Sequence, residues 1–104
     1  MRAEQTRGQL DLLVLAVLAR GSAHGYAVIE SLREQSAGAF DLPEGTVYPA
    51  LHRLERQGEV ASEWSDAGGR RRRVYRLTRR GRTSLGRERE AWRAFSRAVE
   101  LVAS

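Results

Sequence analysis

The sequence predicts a mainly α-helical domain with one small β-hairpin, an α+β fold, and three observations carry that prediction. Apolar residues recur at helical spacing in four separate segments. A period-two alternation around a Gly-rich turn lies between the third and fourth segments. The chain has 104 residues, 41% apolar and 30% charged, the balance of a single folded domain rather than of a disordered chain.

Helix 1 is read from Gly8 to Arg20, where Leu10, Leu13, Val14, Val17 and Leu18 follow the i, i+3, i+4, i+7, i+8 pattern. Leu12, Leu15, Ala16 and Ala19 cover much of its other side. A helix apolar on both sides buries more than one face, which in so small a domain points to a partner chain. Gly21-Ser22 breaks the pattern, Ser22 is a suitable N-cap, and Tyr26, Ile29 and Leu32 mark a second helix ending near Gly38. After a loop around Phe40 to Pro43, helix 3 is expected from about Gly45 to Gln57, with Val47, Leu51 and Leu54 inward and Gly58 as its C′ stop. Pro49 is placed in or near its first turn, where a missing N–H costs least. At 100° per residue, Gly45, Pro49, His52, Arg53 and Arg56 fall opposite the core, flanked by Thr46 and Tyr48. Two amphipathic helices, the second with a polar, positive outer face, match a helix-turn-helix whose second helix enters a major groove.

Next, Val60, Ser62 and Trp64 share one strand face, Ser65 to Gly69 form a turn, and Arg73, Tyr75 and Leu77 alternate with Arg72, Val74 and Arg76. This hairpin after a helix-turn-helix makes a winged helix, assigned to residues 1–78. Thr78 is read as the N-cap of a last helix over 79–104, in which Leu85, Trp92, Phe95, Val99 and Val102 form an apolar seam interrupted by Glu88. That helix is assigned to dimerisation; the alternative is that it folds back on helix 1 of its own chain.

The formal charge is +5, yet its placement says more than its sum. From Ala67 to Arg87 there are nine arginines and no acid, while the rest of the chain is net −4. A positive field concentrated in one segment is the footprint of a polyanion partner. All 18 basic residues are Arg, a choice that extends to ordinary positions such as Arg20 and Arg97 and reads as codon bias, so the clustering carries the argument.

Other chemistry is excluded on residue types. There is no Cys, so no disulfide and no thiolate ligand or nucleophile, which fits a reducing cytoplasm. The apolar stretch Leu12 to Ala19 is too short for a membrane span, and no signal-peptide cleavage pattern follows it. His24 and His52 lack a ligand at i+4, so no metal is expected; His24 is read as packing or capping at the start of helix 2, and His52 either reaches DNA or faces water. No nucleophile elbow, P-loop or dinucleotide fingerprint occurs, so neither an enzyme nor a cofactor is expected.

Four motifs in order resemble the PadR-like transcriptional regulators of bacteria, specifically the short branch with a single C-terminal helix. They are Gly8-x-Leu10-Asp11-x-Leu13-Val14-Leu15, His24-Gly25-Tyr26, Gly45-Thr46-Val47-Tyr48-Pro49-Ala50-Leu51-x-x-Leu54-Glu55, and Gly69-Arg70-x-Arg72-x-x-Tyr75-x-Leu77-Thr78-x-x-Gly81. The resemblance runs from about residue 8 to 85, and the Gly-Thr-x-Tyr-Pro-x-Leu run is its most specific part. It implies a homodimeric repressor that binds an inverted-repeat operator in double-stranded DNA, often near its own gene. Thr46 and Tyr48, with Gly45 and Pro49, are similar to the family's DNA-contacting set, and Arg70, Arg71, Arg72 and Arg73 look like its wing contacts to the backbone. The resemblance also implies that the last helix pairs with helix 1 of the partner, and it permits a small hydrophobic or aromatic effector. One departure is Pro43-Glu44, where many relatives carry Ser before the glycine: Glu44 then either caps the helix or sits near phosphates.

The expected interface therefore comprises Gly45, Thr46, Tyr48, Pro49, His52, Arg53 and Arg70 to Arg73. Leu12, Leu15, Leu85, Trp92, Phe95, Val99 and Val102 are assigned to dimerisation or an effector, with Trp92 and Phe95 able to wall a hydrophobic ligand. The rival reading is a winged-helix adaptor whose wing binds an acidic protein without touching DNA.

Overall fold

The computed structural model describes the backbone of residues 3–104 and the side chains from Gly8 onward. The order is α1 (Ala3–Ala19), β1 (Ala23–His24), α2 (Gly25–Gln35), α3 (Glu44–Arg56), β2 (Val60–Ser65), β3 (Arg72–Leu77) and α4 (Arg79–Ala103). Three strands form an antiparallel sheet in the order β1-β3-β2. Val14, Leu18, Val28, Leu32, Val47, Leu51, Leu54 and Tyr75 interlock as the core between the helices and this sheet. No described helix is long and apolar enough to cross a membrane.

β1 is an addition to the expected plan. Gly21 and Ser22 end α1, and Ala23 and His24 run extended long enough to pair with Tyr75 and Val74 of β3. Two residues are too few to show an alternation. The same step moves the start of α2: its N-cap is His24, whose Nδ1 accepts the Ala27 N–H at 3.2 Å, and not Ser22. α2 also stops at Gln35 rather than near Gly38, because Ala37 turns left-handed at φ 53°. Gly38 N–H then bonds Arg33 C=O at 2.8 Å and Ala37 N–H bonds Glu34 C=O at 3.2 Å, a Schellman closure.

α3 ends as expected. Gly58, at φ 79°, donates to Glu55 C=O, while Glu59 N–H bonds Leu54 C=O at 2.9 Å. Pro49 is the sixth residue of α3, beyond the first turn, so it offers no N–H to the carbonyl of Gly45. The glycine at 45 leaves the outer side of that turn open.

Thr78 caps α4 as expected, its Oγ1 accepting Gly81 N–H at 3.0 Å and donating to Gly58 C=O at 2.7 Å. A Cβ on Gly81 would run into the Glu59 carbonyl, so only glycine lets α4 start this close to the α3–β2 corner. Leu85 is 5% exposed and belongs to the core of its own chain, as does Leu15 at 1%. Both are thereby corrected as dimer residues: neither is available to a partner. Glu88 interrupts the seam where α4 lies against α1, since a Cβ on Gly8 would sit 3.1 Å from its carboxylate. Fold-back thus describes the first half of α4; from Trp92 onward its apolar residues are exposed, and the chain measures 52 × 28 × 23 Å.

Candidate nucleic-acid interface

The inner face of α3, Val47, Ala50, Leu51 and Leu54, is wholly buried. Its register consequently fixes what points outward: Gly45, Pro49, His52 and Arg56 are exposed, and Thr46 and Tyr48 are half-buried at the flanks. The Tyr48 ring lies over Gly25, where a Cβ would collide with it, and its centroid is 6.4 Å from that of His52.

The wing is hung on α3 through one polar relay. Ser62 donates to Glu55 Oε2 at 2.5 Å, Arg73 Nε donates to Ser62 Oγ at 2.7 Å, and an Arg73 terminal nitrogen stands 3.7 Å from the same carboxylate. Tyr75 lies beneath; its phenol pKa is raised by burial and by the Glu55 charge, against the lowering effect of Arg73. On the wing's outer part, Arg71 and Arg73 stand 4.8 and 5.3 Å from the ring centre of Trp64, which is 55% exposed. Gly68 and Gly69, both at positive φ, turn the tip.

Arg72 reaches β1, its terminal nitrogen 2.8 Å from His24 Nε2. His24 thus stands between the α2 cap and the wing, with Nδ1 facing the Ala27 N–H and Nε2 facing the Arg72 guanidinium, a group that only donates.

Arg53 departs from the expected set. Its guanidinium is paired with Asp11 of α1, and its Nε is buried without a hydrogen-bond partner among the described residues. The helical projection placed it opposite the core, but the partner 42 residues earlier in the chain draws it sideways onto α1. Base reading by Arg53 is corrected to a helix-to-helix tie. Arg73 is likewise partly committed to the relay, while Arg70 and Arg71 make no ion pair among the described residues. Glu44 is the exposed first residue of α3, and the N-cap Pro43 supplies no side-chain bond. A carboxylate in the first turn favours the helix dipole.

Tyr48 and His52 of α3, Tyr26 of α2, Trp64 and the four wing arginines open onto one groove of about 580 Å³. Trp64 and Tyr26 line this groove although neither was in the expected set, since each was visible only as an aromatic on an amphipathic element. No group of three or more potential metal ligands occurs among the described residues.

A helix-turn-helix whose second helix shares a groove with an arginine-lined hairpin is a winged helix of the α+β class. Residues 14–87 match the Transcriptional regulator PadR-like family, and the chain belongs to it. It is 38% identical over 96 residues to the transcriptional regulator Rv3488 of Mycobacterium tuberculosis, covering 92% of this chain and 87% of that one. A transcriptional regulator of Clostridium thermocellum superposes with a TM-score of 0.88 at 25% identity, over 100% of this chain and 99% of the other. Bacillus subtilis PadR, solved with operator DNA, superposes with a TM-score of 0.67 at 23% identity, over 74% of this chain and 44% of the other. The chain is thus a transcriptional regulator of a family that is not one of enzymes.

Proposed function

We propose that the chain is a cytoplasmic homodimer that binds an inverted-repeat operator in double-stranded DNA and represses its own or a neighbouring gene. The observation that carries this reading is the single groove joining the outer face of α3 to four consecutive wing arginines. Gly45, Thr46, Tyr48, Pro49 and His52 meet the base edges, and Arg70, Arg71 and Arg72 meet phosphates. Arg73 supports the wing from behind through Glu55. The operator complex of Bacillus subtilis PadR, a protein of the same fold, supports this mode of binding.

Residues 1–78 form the DNA-binding part and 79–104 the dimerisation helix. Support comes from the apolar stripe of α4, in which Trp92, Phe95, Val99 and Val102 are 41 to 88% exposed, with Leu101 beside them. Leu12 of α1 is half-buried and completes the interface beside the partner's helix. A shallow apolar hollow of about 320 Å³ lined by Phe95, Val99 and Val102 suits a small hydrophobic or aromatic effector, which would release DNA by favouring another dimer geometry.

Hydroxyl-radical footprinting on the DNA upstream of the gene tests the arrangement. Two protected patches whose centres lie about 34 Å apart along the duplex are expected. A single patch contradicts the dimer on an inverted repeat.

A further inference from the structure

Trp64 is a large aromatic that the core does not use. It lies on β2 directly across from Arg73, more than half exposed, and is absent from the buried cluster. Its ring instead has two guanidinium groups within 5.3 Å of its centre. A guanidinium near an aromatic face can still use its N–H groups for a further acceptor, as Arg73 does in donating to Ser62. Arg71, exposed and without an ion pair among the described residues, is thereby held ready at little further cost in side-chain entropy. The same ring opens onto the groove shared with Tyr48 and His52 of α3.

We infer that Trp64 is itself a DNA-contacting residue: its indole lies against the deoxyribose edge of the minor groove beside the wing while Arg71 bonds the adjoining phosphate. The inference rests on the DNA-binding reading above and deepens it. The chemistry fits a duplex backbone, because sugar carbons offer an apolar edge to the ring and phosphates lie on either side for the arginines. Since the contact meets sugar rather than base edges, it reads groove shape and adds affinity without a sequence code.

The test uses the whole chain grown with 5-fluorotryptophan, which places one ¹⁹F label on Trp64 and one on Trp92, with Trp64→Phe identifying the resonances. Adding the upstream duplex is expected to shift the Trp64 resonance, saturating at the same duplex concentration as fluorescence anisotropy of a labelled duplex. Trp64→Ala is expected to weaken upstream and scrambled duplexes alike, by about tenfold, and Trp64→Phe by less. A Trp64 resonance unmoved at saturating duplex overturns the inference and leaves the ring as a support for the wing. A larger shift with the unpaired strand than with the duplex also overturns it, assigning the ring to base stacking. If anisotropy shows no binding of either duplex, the DNA-binding reading fails first and takes the inference with it.

Discussion

Two helix stops in this chain use the same backbone device with different residues. At the end of α3 the left-handed position is Gly58, and at the end of α2 it is Ala37, at φ 53°. An L-residue there costs about 1–2 kcal/mol, offset in glycine by a looser unfolded chain. Ala37→Gly is therefore expected to stabilise the fold by about 0.5–1 kcal/mol, read as a higher denaturation midpoint at unchanged m-value. A lower midpoint would show that the α2–α3 loop depends on the alanine. A second residue-scale prediction concerns Arg72, an exposed wing arginine that lines the groove and reaches the His24 ring. Arg72→Ala is expected to weaken all duplexes alike and to reduce the slope of log affinity against log salt by about one. An unchanged slope would remove Arg72 from the interface.

At the scale of elements, α4 serves two surfaces, and Glu88 marks their border. Its carboxyl pKa is raised by burial, with the charges of Asp11 and Glu59 adding and Arg87 opposing. A carboxyl that holds its proton more tightly folded than unfolded weakens the fold as pH rises through that range. Glu88→Gln is thus expected to raise the melting temperature near pH 7, with the gain closing as pH falls into the carboxylate range. A gain independent of pH would assign the effect to packing. What the sequence made legible follows the range of each signal. Helices 1 to 4, the Gly58 stop, the Thr78 cap and the alternation of the two hairpin strands rest on neighbours a few residues apart. Arg53 was misread because Asp11 lies on another helix, and Leu15 and Leu85 because periodicity shows an apolar face without saying which chain covers it. β1 was missed because two residues carry no period, and the end of α2 because the glycine stands one place after the residue that turns.

For the whole molecule, the outer half of α4 leaves an apolar stripe that no described part of the chain covers. Trp92 and Phe95 stand there with ring centres 6.0 Å apart, and Trp92 is 45% exposed. Because Trp92 lies outside the core of its own chain, Trp92→Glu is expected to leave the helical circular dichroism intact while shifting the sedimenting species from dimer to monomer. A dimer that survives the substitution would move the interface elsewhere. Monomers would also bind operator DNA more weakly than the parent, since two recognition helices joined in one particle engage their half-sites at high effective concentration. The central claim is that α3 and the arginine wing together read duplex DNA. Its most direct test is binding, at several salt concentrations, to the DNA upstream of the gene against a scrambled duplex. A preference of about 10³ or more for the upstream DNA, with affinity falling steeply as salt rises, is the expected result. Failure to bind either duplex would contradict the claim and favour an acidic protein as the partner of the wing.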